Sequence, residues 1–202
     1  LRAVTYANTS ENPTTTIRNI EYQLDSGAGP NDLSNLLTST VTVTAVNDAP
    51  VLTVAILDQS VNEDTAWTYQ VPLGSFSDVD SSLTWSATLD SGAVLPAWLS
   101  FNAGTRTFSG TPPLDFTGTI GLRVTVTDGV APPVSDDFIL TVDPINDAPV
   151  LAGSGSPTYT ENGAALAIAP ALTVADPDNT SFTSASITIT NFVGPEDTLA
   201  FS

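Results

Sequence analysis

Cysteine and histidine are both missing from the 202 residues. Without thiols there is no disulfide framework and no thiolate metal site. Without imidazole the commonest ligand for zinc and copper is gone. A metal held by this chain would be hard and oxygen-bound, with Ca2+ the first choice. Basic residues are nearly absent too: Arg2, Arg18, Arg106 and Arg123 stand against 22 Asp and Glu, for a net charge of −18. A chain with no basic patch offers nothing to phosphates, which argues against nucleic acid and anionic membrane surfaces as partners. No apolar run approaches the roughly 18 residues of a membrane span, so no membrane insertion is expected of this segment, and no signal peptide pattern is visible. Helical periodicity is almost nowhere. Both ends lie in structured-looking sequence, so the chain reads as a segment of something longer.

What is present begins with a repeat. Asn47-Asp48-Ala49-Pro50-Val51-Leu52 recurs unchanged as Asn146-Asp147-Ala148-Pro149-Val150-Leu151, a spacing of 99 residues. An exact repeat at that distance implies similar domains joined end to end, each large enough for one core. Each joint carries an amide, a carboxylate and a proline, the chemistry of a stiffened, cation-binding linker. The 41% of hydrophobic residues excludes a disordered acidic tail.

The fold class is all-β. Residues 40–44, 122–127 and 186–190 alternate with period two and are rich in β-branched residues, as half-buried antiparallel strands require. Turn residues at intervals of about ten point to a β-sandwich. The middle unit predicts seven strands near 51–57, 66–71, 83–89, 98–101, 107–109, 120–127 and 137–142. Trp67, Trp85, Trp98, Phe101, Phe108, Phe116 and Phe138 are then mostly core. Residues 1–46 predict about three strands ending in a joint, and 147–202 open like the start of the middle unit. The expected division is a C-terminal part of one domain (1–46), a complete domain (47–146) and an N-terminal part of another (147–202).

Tracing the strands up and down sorts the acids by end. One end of the middle unit collects Asn47, Asp48, Asp78, Asp80 and Asp128. The other collects Glu63, Asp115, Asp143, Asn146 and Asp147, joined by Asp176, Asp178 and Asn179 from the next unit. A D-x-D loop supplies two carboxylates to one side of an ion, and Ca2+ takes six to eight oxygens. Any single Asp in a loop is more simply turn chemistry; it is the convergence of several on one end that points to metal.

These residues resemble the cadherin-like repeats of large bacterial surface adhesins, and the middle unit is similar to the dystroglycan-type variety. The resemblance rests on the linkers 47–50 and 146–149 and on a glutamate after the first strand (Glu63, Glu161). It rests also on the D-x-D pairs (Asp78/Asp80, Asp176/Asp178), on Leu114-Asp115 and on Asp128-Gly129. It implies tandem seven-stranded Greek-key sandwiches of cadherin or immunoglobulin type in an elongated array, with Ca2+ at the joints. The chain departs from the pattern in three places. The linker is one residue shorter, Thr117 stands where a glutamate follows Asp115, and Thr44 in the first joint replaces Asp143 of the second. Fewer carboxylates imply about one or two ions per joint, with the second joint tighter. Asp48 is expected to share its ion with Asp78, Asp80 and Asp128, and Asp147 to bridge Glu63 and Asp115 to Asp176 and Asp178.

The leading reading is a non-catalytic extracellular or bacterial cell-surface stalk, stiffened by Ca2+, whose partners are neighbouring repeats of the same protein. One alternative is a carbohydrate- or host-surface-binding module using Trp67, Trp85 or Trp98. Another is a filament subunit in which the half domains of different copies complement one another by strand addition. Catalysis is disfavoured. Asp78/Asp80 would need a desolvated member and a substrate cleft, and there is no His or Cys to act as base or nucleophile. A Gly-Asp-Pro self-cleavage motif is absent, since Val142 and Ala175 precede the two Asp-Pro pairs.

Overall fold

The computed structural model describes residues 3–27, 29, 33–191, 193–194 and 197–199. Arg2 lies outside them. The chain divides into two compact units, Leu1–Pro144 and Ile145–Ser202.

The first unit opens with an antiparallel hairpin of β1 (Arg18–Tyr22) and β2 (Leu37–Val41). Among the described residues of 1–46, two strands and an isolated Asp25–Leu33 bridge stand where about three strands were expected. A sandwich follows. Its strands are β3 (Val51–Leu52), β4 (Gln59–Asn62), β5 (Trp67–Gln70), β6 (Phe76–Ser77), β7 (Thr84–Leu89), β8 (Leu99–Asn102), β9 (Thr107–Gly110), β10 (Gly118–Thr127) and β11 (Val134–Asp143). One sheet runs β4-β11-β10-β7 and the other β5-β9-β8, with β3 and β6 paired at the side.

The middle unit thus holds nine strand segments among its described residues where seven were expected. The difference lies at the first and second predicted strands. Residues 51–57 do not form one strand: β3 pairs antiparallel with β6, and the chain then crosses to run as β4 in parallel beside β11. Two carboxylates bridge the crossing. Asp136 Oδ2 accepts the Ile56 N–H at 2.6 Å, and Asp58 Oδ1 accepts the Ile139 N–H at 2.7 Å. Side chains therefore stand in for ladder bonds where the backbone changes sheets. A 3-10 turn at Leu73–Ser75 separates β5 from β6.

The long central strands show why this sequence folds this way. Along β10, Leu122, Val124 and Val126 are fully buried, while Arg123, Thr125 and Thr127 between them stay half-exposed on the other face. On β11 the buried Phe138 lies opposite Leu122, and the buried Leu140 opposite Ile120. Burying each such side chain contributes about 1.5–3 kcal/mol. Phe108 fills the centre, tilted against Phe101 with centroids 4.7 Å apart and edge-on to Phe138 at 5.7 Å. The tryptophans pack as the alternation requires. Trp67 is buried and stacked on Tyr69, while Trp85 meets the edge of Phe76 and Trp98 that of Phe116, both half-buried. None of the three stands exposed as a sugar platform.

In the second unit β12 (Val150–Ala152) pairs antiparallel with β13 (Thr173–Ala175). Residues 186–190, expected as a strand, are not one, because no described strand offers them a ladder. A period-two pattern marks a residue set able to form a strand, but only pairing makes it one.

Candidate functional site

The topology sets two groups of loops at opposite ends of the sandwich. The β6–β7 and β10–β11 loops lie at one end with the 47–50 linker, and the β4–β5 and β9–β10 loops lie at the other.

At the first end, Asp78 closes its own loop. Its Oδ1 accepts the N–H groups of Asp80 at 3.1 Å and Ser81 at 2.8 Å. Asp128 does the same across its turn, with Oδ1 accepting from Val130 and Ala131, both at 2.9 Å. This is ordinary Asx-turn chemistry, but it fixes one oxygen of each carboxylate and leaves the other available. The linker enters between them. Asn47 Nδ2 donates to Asp128 Oδ2 at 2.7 Å and to the Asp48 carbonyl at 2.6 Å, and Ser81 Oγ donates to Asn47 Oδ1 at 3.4 Å. The Asp48 N–H donates to Asp80 Oδ2 at 3.2 Å. Asn47, Asp48, Asp78, Asp80 and Asp128 are therefore brought together as one cup.

Two oxygens of that cup, Asp78 Oδ2 and Asp80 Oδ1, are buried with no hydrogen-bond partner. Buried carboxylate oxygens are normally paired. Among the described residues no arginine serves here: Arg123 is bound to Asp137 at 2.7 Å, Arg106 lies over the Trp85 ring, and Arg18 is tied to Thr14. The Asp128 carboxyl is held below its ordinary pKa, chiefly by the Asn47 amide and then by the Val130 N–H, so it stays ionised. The set is all-oxygen, anionic and pre-shaped by backbone bonds, which fits a hard cation such as Ca2+.

The second unit repeats the device within itself. Asp176 Oδ1 accepts from Asp178 at 3.0 Å and Asn179 at 2.8 Å. The Asp147 N–H donates to Asp178 Oδ2 at 2.6 Å, Asn146 Nδ2 donates to the Asp147 carbonyl at 2.9 Å, and Asn179 Nδ2 donates to Asn146 Oδ1 at 2.9 Å. These bonds match those of Asn47, Asp48, Asp78, Asp80 and Ser81 one for one, with Asn179 in the place of Ser81; the described bonds of the second unit include no counterpart of those to Asp128. Ser81 is the residue that sequence reasoning missed. Its signal was the alignment of Asp78-Val79-Asp80-Ser81 with Asp176-Pro177-Asp178-Asn179.

At the other end of the sandwich, Glu63 is 1% exposed at the close of β4, and its N–H donates to the Asp143 carbonyl at 2.9 Å. Asp115 stands in the loop before β10 with φ 62°, and one of its carboxylate oxygens lies within 4.8 Å of one from Glu63. Asp143 meets Glu63 through its backbone, with its side chain exposed. Glu161 stands exposed in a tight turn before Asn162, whose φ is 60°, outside the second cup.

Comparison with known proteins adds three findings. Residues 49–143 match the family described as "Putative Ig domain". Over 202 residues the chain is 30% identical to halomucin of Haloquadratum walsbyi, covering 99% of this chain and 2% of that protein. The chain thus spans about 2% of the length of the curated relative it matches. Among solved structures, the first two repeats of human mucin-like protocadherin align with a TM-score of 0.45 at 20% identity, covering 64% of this chain and 69% of that one. Repeats 22–24 of mouse cadherin-23 align with a TM-score of 0.43 at 21% identity, covering 64% of this chain and 42% of that one.

Proposed function

We propose that residues 49–143, which form a cadherin/immunoglobulin-like repeat, work as one member of a tandem array divided at 1–46, 47–146 and 147–202. The array is a non-catalytic structural and adhesive stalk whose linkers are set by Ca2+. The observation that carries this reading is the pair of buried, unpartnered oxygens on Asp78 and Asp80, in a cup to which the linker residue Asp48 is already bonded. A bound Ca2+ would supply positive charge to the cup carboxylates. The chain's own residues do the rest. Asp78 and Asp128 close their loops by accepting backbone N–H groups, Asn47 fixes the linker to Asp128, and Asp48 ties it to Asp80. The same arrangement of Asn146, Asp147, Asp176, Asp178 and Asn179 supports a second site of the same kind, and the proximity of Glu63 to Asp115 supports their roles as ligands.

Likeness to a protein named as a mucin supports an extracellular or cell-surface placement, and no helix among the described residues is long and apolar enough to cross a membrane. The partners of this reading are neighbouring repeats of the same protein.

Calorimetric titration with CaCl2 tests the site. Extracellular Ca2+ modules bind on the order of 0.1–1 mM, so about 10 mM Ca2+ should stabilise the fold by about 1.4–2.7 kcal/mol. Asp78→Ala should abolish binding at the first cup while leaving the fold cooperative. An unchanged melting temperature on adding Ca2+ after chelation would refute the proposal.

A further inference from the structure

All the strands of the middle sandwich lie within residues 49–143. One of its edges is β7, which ends the sheet β4-β11-β10-β7 and pairs on one side alone, with β10. The register tells which backbone groups face outward. The Asp90 N–H donates to the Gly121 carbonyl at 3.0 Å, one step beyond the Leu89–Leu122 pair. Bonded pairs alternate along an antiparallel ladder, so Thr84, Ser86 and Thr88 bond toward β10, while Trp85, Ala87 and Leu89 direct their N–H and C=O groups away from it. Leu89 is closed by its own turn: its N–H donates to the Ala93 carbonyl and its carbonyl accepts from Gly92, both at 2.9 Å. No described residue bonds to the outward groups of Trp85 and Ala87.

The residues along this edge read almost the same in both directions. Leu83-Thr84-Trp85-Ser86-Ala87-Thr88-Leu89 is a palindrome about Ser86, broken only where Trp85 answers to Ala87. An edge of this kind is its own complement. Laid antiparallel against a copy of itself about a two-fold axis at Ser86, it sets Leu83 opposite Leu89, Thr84 opposite Thr88, and the large Trp85 opposite the small Ala87. The outward groups then meet in register, each Trp85–Ala87 pair exchanging both of its N–H···O=C bonds. Thr–Thr pairs across strands are favourable, and like charges directly opposite one another are not. The flank is neutral although the chain carries a net charge of −18: Asp90 is the one charged residue of 81–105, and this register sets it opposite Ser82. A concavity of about 380 Å3 adjoins the edge, lined by Trp85, Ala87, Val94, Leu95 and Phe101 among others, and Val94 is 85% exposed. It gives the indole of the second copy space beside Ala87.

We propose that the middle repeats of two copies of this chain associate side by side through β7, joining their sheets into one across the two-fold axis. Unpaired, uncharged strand edges are where chains add to one another. The occupant is a second copy because the palindrome matches that edge residue by residue, where a strand of other sequence would find only the free backbone. The contact is isologous, so it closes at two copies. One strand pair is a small interface and a weak one. Repulsion between two acidic copies opposes it, so salt favours it. The seam uses no carboxylate of either cup. It therefore forms in chelator, and its failure is distinguishable from a failure of Ca2+ binding.

Sedimentation equilibrium of the full chain in EDTA and about 1 M NaCl, at concentrations on the order of 0.1–1 mM, should show monomer and dimer with no larger species. Ala87→Pro removes an N–H that faces away from the ladder, as an edge strand tolerates, and should abolish the dimer. Ser86→Glu leaves the backbone untouched and sets two like charges at the axis. It should abolish the dimer while the dilute monomer melts as the parent does. Register is tested with cysteine, which the natural chain lacks. Ser86→Cys meets itself across the axis and should oxidise to a disulfide-linked dimer far faster than Thr84→Cys, which meets Thr88. A monomer throughout that concentration range would overturn the proposal. So would a dimer that survives Ser86→Glu, or equal yields of disulfide from Ser86→Cys and Thr84→Cys.

Discussion

Asp137 carries one side of the ion pair with Arg123, a two-pronged contact with both distances at 2.7 Å on the outer face of the β10–β11 ladder. The Arg123 guanidinium holds the Asp137 carboxyl below its ordinary pKa, first by hydrogen bonding and then by charge, with desolvation opposing. A carboxyl depressed on folding adds stability that is present above its unfolded pKa of about 3.9 and is lost as pH falls through the folded value. Asp137→Asn should therefore lower the melting temperature modestly at neutral pH and flatten the acid limb, so that variant and parent converge below about pH 4. An unaltered acid limb would show the pair to be energetically silent, as many exposed pairs are. Much at this scale could be read from the sequence. The acids of the first cup were sorted to one end by strand direction alone, and the structure places Asn47, Asp48, Asp78, Asp80 and Asp128 in a single bonded network. Ser81 is harder to read, because a serine in a loop carries no pattern of its own and only its alignment with Asn179 marks it. The near-total burial of Glu63 was not readable, since it depends on where β4 ends against β11.

The split of the first strand is the main surprise among the elements. Residues 51–57 are apolar but for Thr53, and period two cannot say that such a run leaves one sheet and joins another. The markers were the acids, Asp58 and Asp136, which look like surface residues in the sequence but satisfy the Ile56 and Ile139 N–H groups at the crossing. Asp136→Ala should leave the Ile56 N–H without its acceptor while Ile56 itself stays buried. A loss of about 1–3 kcal/mol follows, measured by urea denaturation with the slope unchanged. Asp137→Ala, one residue away and pointing outward, is the control and should cost less. Residues 186–190 make the converse point. Their alternation is as clean as that of β10, but β10 is flanked by β7 and β11 and 186–190 by no described strand. Sequence pattern reports what a segment can do, and neighbours decide whether it does so.

For the molecule as a whole, the dominant quantity is the charge of −18 spread over a chain with four arginines and no lysine. Self-repulsion of this kind opposes the compact state and is screened by salt, with a Debye length of about 10 Å at 0.1 M and about 3 Å at 1 M. In chelator, the melting temperature should rise as NaCl is raised from low salt toward about 1 M; a flat or falling curve would show that repulsion is not limiting. The parallel pairing of β4 with β11 has a consequence of a different kind. β4 is the first strand after the short β3 that follows one linker, β11 is the last strand before the other, and the two lie side by side pointing the same way. Tension applied through the chain would draw them in opposite directions along their common axis. Their ladder would then be sheared with its bonds loaded together, not peeled open one bond after another. A repeat closed in this way is built to bear a pull along the chain.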